Sequence, residues 1–92
     1  MTTAVQSSKP HLPPLSTLAL TLHAGDIYEH YSGKQYKILA VARHSETLEE
    51  LVVYQALYGD HGFWARPVAM FCETIVKDGN EVKRFRLVGC HK

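Results

Sequence analysis

From Gly25 onward the chain alternates apolar and polar residues with the period of two that sends successive side chains to opposite faces of a strand. "GDIYEHY" sets Ile27, Glu29 and Tyr31 on one face and Tyr28 and His30 on the other. "SGK" follows as a turn, and "QYKILAVA" then sets Tyr36, Ile38, Ala40 and Ala42 against Lys37, Leu39 and Val41. These two runs predict a first hairpin. "LVVYQALY" is rich in β-branched and aromatic residues and closes on "GDHG", whose glycines admit positive backbone φ, so a second hairpin into "FWAR" is expected. Pro67 has no N–H for a ladder and ends that strand. "VAMF", Val68 to Phe71, predicts one turn of helix, before strands in "CETIVKD" and "EVKRFRLVG" joined by the tight turn "DGN".

Before Gly25 the pattern changes. Residues 1 to about 14 are Thr, Ser, Gln, Lys and Pro with few large apolar groups, the composition of a flexible arm. In "LSTLALTLHAG" the leucines fit a strand (Leu18, Leu20, Leu22) and a helical stripe (Leu15, Leu18, Leu22) equally. Residues 1–24 are therefore read as an arm, or an added strand, outside a single domain spanning 25–92. About five short strands, tight turns and one helical turn give a mainly β fold, a small antiparallel barrel or roll; an SH3-like barrel is the first choice and an OB-like barrel the second.

Ninety-two residues support one domain, near the size at which a single core only just suffices, so any site is superficial or shared. A 46% hydrophobic and 21% charged composition is that of a folded chain. A net charge of +1 lacks the concentrated basic face that duplex DNA demands, leaving weak or single-strand RNA binding open. Cys72 and Cys90 are too sparse for a disulfide framework and are expected to be reduced, in a cytoplasmic protein. "LPPLSTLALTLHAG" is too short to span a bilayer and has no basic lead-in to mark it for export.

The stretch "RHSETLEE", residues 43–50, lies between two apolar runs and gathers most of the chain's candidate chemistry. Thr47 and Glu50 match a capping box, which predicts a brief helical turn. His44, Ser45 and Glu46 offer hydrolase-like groups, but sequence neighbours do not converge as a triad must, and no nucleophile elbow, phosphate loop or zinc-protease motif occurs. Among six histidines, the combination best able to hold a metal is His30, His44, Glu46 and His61, without the short ligand spacing that preorganises zinc. The third reading is a ligand-contacting loop. Aromatic faces from Tyr28, Tyr31, Tyr54, Tyr58 and Trp64, with forked donors from Arg43 and Arg66, would build a groove between "RHSETLEE" and "YGDHGFWARP". Trp64 is also the aromatic most expected in so small a core.

The motifs G-x-Y-x-H-Y-x-G (here "GDIYEHYSG", one residue longer between Gly25 and Tyr28), A-x-H-S-E-T-x-E-x-L-V-V-Y, L-Y-G and W-x-R-P-x-x-M-F-x-E run from Gly25 to about Phe85. Together they resemble a small bacterial family, domain of unknown function 1653. The resemblance implies a stand-alone SH3-like β-roll in the bacterial cytoplasm, with no assigned activity, cofactor or partner, and it carries over no functional residues. Chemistry alone therefore supports a non-enzymatic binding module that uses Arg43, His44, Glu46, Tyr54, Tyr58, Trp64 and Arg66 on a small ligand, a peptide or an unpaired RNA base. The alternatives are a metal-dependent or hydrolytic enzyme using His44 and Glu46, and a self-association domain, a monomer or weak homodimer, in which "LSTLALTL" supplies the contact. No cofactor is expected, and no membrane partner.

Overall fold

The structure, a computed structural model, describes residues 13–90. Its elements are helix α1 (Thr17–Leu20), strands β1 (Asp26–His30), β2 (Gln35–Arg43), β3 (Glu50–Ala56) and β4 (Phe63–Pro67), helix α2 (Val68–Phe71), and strands β5 (Thr74–Lys77), β6 (Asn80–Lys83) and β7 (Phe85–Cys90). Five strands form one antiparallel sheet in the order β4-β3-β2-β1-β7, and β5 and β6 form a separate hairpin. The fold is thus mainly β, a small antiparallel roll, with the helical turn Val68–Phe71 where the sequence predicts it.

Turn chemistry sets the hairpins. Asp78 and Gly79 both have positive φ, 54° and 81°, and form the two-residue loop that closes Lys77 onto Asn80. The β1–β2 turn is closed by His30 N–H to the Lys34 carbonyl at 2.8 Å and Gly33 N–H to the His30 carbonyl at 2.7 Å.

The core follows strand parity with a break in β2. Tyr28, Ile38, Val52 and Tyr54 point inward with Phe85, and α2 covers them with Val68 and Phe71. Phe71, fully buried, stacks on Phe85 with centroids 4.1 Å apart and meets Tyr28 and Tyr54 edge-on at 5.3 and 5.4 Å. Unbroken alternation would place Ala40 and Ala42 beside Ile38. The β2–β3 register instead shifts between Ile38 and Ala40, and it is Val41, opposite Val52, that packs on the core. A bulge adds one residue, moves every later side chain to the other face and increases the local twist. The curl is enough for the Arg66 guanidinium on edge strand β4 to lie over the ring of Phe85 on edge strand β7, 5.7 Å from its centre.

The segment before Gly25 departs from the expected arm or added strand. Ser16 caps α1 by accepting from the Ala19 N–H, and Ala19 and Leu22 are members of the buried cluster, with Leu15 packed against it. Only Thr17–Leu20 is helical; Ala19 within it and Leu22, just past the C-cap Thr21, turn to the core, while Leu18 and Leu20 stay exposed. The flexible-arm reading of residues 1–12 lies outside the described residues. Among the described residues, no helix is long and apolar enough to cross a membrane.

Candidate functional site

Consecutive hairpin turns fall at opposite ends of the strand they share, and this decides which candidate residues can meet. Strand β3 has the 44–49 loop before it and the 57–62 loop after it. Its seven residues separate the two loops by roughly 20 Å at about 3.3 Å per residue. A groove with "RHSETLEE" on one wall and "YGDHGFWARP" on the other therefore does not exist. The site residues divide into two ends of the molecule.

At one end, Tyr36, Tyr54, Tyr58, Trp64 and Arg66 line a concavity of about 230 Å³. Tyr54 and Trp64 are directly paired across β3 and β4, and Arg66, two residues beyond Trp64 and opposite Val52, shares their face. This is the core-facing side of the sheet, yet Trp64 is 58% exposed. Pro67 turns the chain into α2, which packs onto the buried cluster through Val68 and Phe71 and leaves Trp64 outside it. The expectation of a core Trp64 fails for that reason. Tyr58 is brought in by the loop: Leu57 N–H donates to the Gln35 carbonyl at 2.9 Å, which extends the β2–β3 ladder and sets Tyr58 beside Tyr36.

The polar atoms of the pocket are chained. The Tyr36 and Tyr58 hydroxyls are 2.7 Å apart, and Arg66 Nε donates to the Tyr54 hydroxyl at 3.2 Å. Removal from water, then the hydrogen bond with Tyr58, pushes the Tyr36 phenol up to about 12. It is therefore a neutral donor at any ordinary pH. One of the Tyr36 and Tyr58 hydroxyls donates to the other and leaves one proton free; Tyr54 accepts from Arg66 and keeps its own. Among the described residues no carboxylate lies within ion-pair distance of Arg66. Phenol protons and unpaired guanidinium nitrogens thus face one small space beside the indole of Trp64. Such an arrangement can hold an oxyanion next to a flat ring; among the described residues it pairs no nucleophile with a base.

Next to the Arg66 side of this pocket, His30 packs against Phe85 with ring centroids 4.9 Å apart, and its Nδ1 faces the Ser32 hydroxyl at 2.9 Å. Burial first, then the charges of Arg66, Arg84 and Lys34, hold its imidazole below the ordinary 6.5.

At the other end, "RHSETLEE" forms the β2–β3 turn, in which Leu48 N–H donates to the His44 carbonyl at 2.9 Å with Leu48 at φ 65°. His44 Nδ1 accepts from the N–H groups of Glu46 and Thr47 at 3.1 and 3.3 Å, so His44 is the staple of its own loop. The capping box does not form. Thr47 Oγ1 accepts from Glu49 N–H at 3.2 Å, and Glu50 turns instead to Ser16, accepting from its N–H and its hydroxyl at 2.6 Å each. Arg43, directly opposite Glu50 across the ladder, donates to the Pro13 carbonyl. These two residues hold the N-terminal strap.

The metal alternative also dissolves. His30 ends β1 beside the start of β2, whereas His44 and Glu46 follow the far end of β2, nine residues and roughly 30 Å away at about 3.3 Å per residue. Among the described residues no three His, Cys, Asp or Glu side chains gather to hold an ion. Of the other aromatics, Tyr28 is core and Tyr31 stands exposed beside Lys77. Tyr36 is the pocket residue that sequence reasoning left out. Its signal was present in the alternation that put it on the same face as Ile38, which pairs with Tyr54.

Comparisons with known proteins agree with this architecture. A crystal structure of a protein of the family DUF1653 from Bordetella bronchiseptica aligns with a TM-score of 0.70 and 33% identity, covering 80% of this chain and 96% of that one. No curated protein matches the chain. The profile of that same family, described as "Protein of unknown function (DUF1653)", matches residues 26–87, two thirds of the sequence, and the chain belongs to this family.

Proposed function

We propose that this protein is a non-enzymatic binding module whose site is the pocket of Tyr36, Tyr54, Tyr58, Trp64 and Arg66, and that its ligand pairs an oxyanion with a flat ring. One observation carries the reading: the Arg66 guanidinium is fixed on two sides, by the Tyr54 hydroxyl and the Phe85 ring, while no carboxylate neutralises it among the described residues. A guanidinium held in place beside phenol protons is preorganised for a carboxylate or phosphate. Pockets that enclose drug-sized molecules run from about 300 Å³ upward. At about 230 Å³ this one has room for the anionic group, while the exposed indole of Trp64 offers a face to the ring.

The test is an amide and side-chain NMR titration of the labelled protein with small aromatic carboxylates and phosphates. Shifts at the Trp64 indole N–H, Arg66 Nε–H and the Tyr58 amide are expected, and Arg66→Met should reduce them about tenfold or more in affinity. Shifts absent from these groups across the whole set would refute the assignment. The loop 44–49 should stay silent, since it lies at the opposite end of β3.

A further inference from the structure

The charge around the pocket narrows the ligand class, on the reading that the pocket is a binding site. Two cations bracket its row of phenols. Arg66 lies at Tyr54, and Lys34 Nζ lies 4.8 Å from the centre of the Tyr58 ring. Among the described residues the pocket lining contains no carboxylate. Neither Lys34 nor Arg66 is in an ion pair among the described residues, whereas Arg84, the third cation acting on His30, is held by Glu73 at 3.0 Å.

Each candidate ligand meets these groups differently. A free amino acid or a peptide N-terminus would set an ammonium among two cations with no carboxylate to receive it. A lone carboxylate satisfies one guanidinium fork and leaves the second cation unused. A phosphate monoester carries close to two charges at neutral pH and presents oxygens in several directions, so two can take the Arg66 fork while another accepts a phenol proton, with Lys34 adding its field from the Tyr58 end. The flat component has a ready platform in the exposed indole of Trp64, because every nucleobase has a π-face and stacking on an aromatic side chain tolerates any base.

We infer that the ligand is a single unpaired nucleotide, its phosphate against Arg66 and the Tyr54 hydroxyl and its base stacked on Trp64. The chemistry is common to a free mononucleotide and to one nucleotide of a single-stranded RNA. A paired base is excluded, since both its faces are already stacked.

The experiment is an NMR titration of the full-length protein with adenosine monophosphate, uridine monophosphate, adenosine, inorganic phosphate, benzoate and a short single-stranded oligouridine. Both monophosphates should shift the Trp64 indole N–H and Arg66 Nε–H, with adenosine and phosphate each at least about tenfold weaker, because each supplies only half of the contact. Trp64→Ala and Arg66→Lys should each weaken monophosphate binding about tenfold or more. Trp64 is solvent-exposed, so its replacement leaves the core intact, and Lys keeps the charge of Arg66 while removing the fork. Phe63→Ala should change nothing, because Phe63 pairs with Gln55 and stands on the other face of β4. Tighter binding of oligouridine than of uridine monophosphate assigns the site to RNA, and equal or weaker binding assigns it to the free nucleotide; both support the inference. Benzoate bound as tightly as the monophosphates would overturn the nucleotide assignment and leave the oxyanion site standing. No shift in the pocket from any of the six would overturn both.

Discussion

The phenol of Tyr36 owes its raised pKa, about 12, first to its removal from water and second to its hydrogen bond with Tyr58. A pKa raised by folding means that the folded state favours the protonated form. That contribution to stability is present below the ordinary value of 10.0 and is lost as pH rises through the folded value. Stability should therefore fall between about pH 10 and about pH 12, and the fall should be smaller in Tyr36→Phe, which has no proton to lose. Burial also raises the Tyr28 phenol, so tyrosinate absorbance should show a late-titrating phase in the wild type that loses amplitude in Tyr36→Phe and moves partway back toward 10 in Tyr58→Phe. Only partway is expected, because that variant removes the hydrogen bond and leaves the larger cause, burial, in place. Superposable titration curves for the three proteins would show that the hydroxyl pair does not form in solution. The same residue illustrates what a sequence conceals about a site: it pairs with Ala56 and meets Tyr54 only diagonally across β2 and β3, while Tyr54 pairs with Trp64, relations between strands that no local pattern displays.

At the scale of elements, the features legible in the sequence were those fixed by residues close together. The Asp78-Gly79 turn, the helical turn after Pro67 and the alternation of "LVVYQALY" depend on backbone preferences within a few positions, and each is where it was expected. Two features escaped because their causes act at a distance. The bulge after Ile38 changes strand parity without any glycine or proline to mark it. Glu50, three residues after Thr47, matches a capping box, yet its partner is Ser16, thirty-four residues away. For the site, Tyr54, Tyr58, Trp64 and Arg66 do converge, while Arg43, His44 and Glu46 do not, because the two loops flanking β3 point to opposite ends. The Ser16–Glu50 link yields its own prediction. Ser16→Ala removes an N-cap and should cost about 1 kcal/mol in a urea unfolding experiment at neutral pH. The hydrogen bonds from Ser16 hold the Glu50 carboxyl below its ordinary 4.5, so their contribution is present above that value and is lost as pH falls through the folded one. The difference between wild type and Ser16→Ala should accordingly narrow in acid. A difference constant from neutral pH to below the carboxylate range would mean that Glu50 does not latch the strap.

For the whole molecule, the division into two ends explains why the most polar stretch of the chain is remote from the pocket. One end carries the exposed Trp64 beside Arg66. The other uses Arg43 and Glu50, cross-strand partners, to hold residues Pro13 and Ser16 and so seat α1 against the core. The family match begins at residue 26, after this strap, yet Ala19 and Leu22 lie in the same buried cluster as Val68 and Phe71. In a domain this small the core has little surplus, and a buried leucine truncated to alanine typically costs about 2–5 kcal/mol. A chain beginning at His23 loses Ala19, Leu22 and the latch together, and it should unfold at a lower urea midpoint than Leu22→Ala, itself below wild type. Its m-value should also fall, since less apolar surface is buried to begin with. The pocket residues all lie in strands or loops beyond the strap, so any truncated chain that remains folded should still shift its Trp64 indole N–H with uridine monophosphate. Equal midpoints for the truncated and full-length chains would show that α1 adds nothing to the core, and that the matched segment alone is the folding unit.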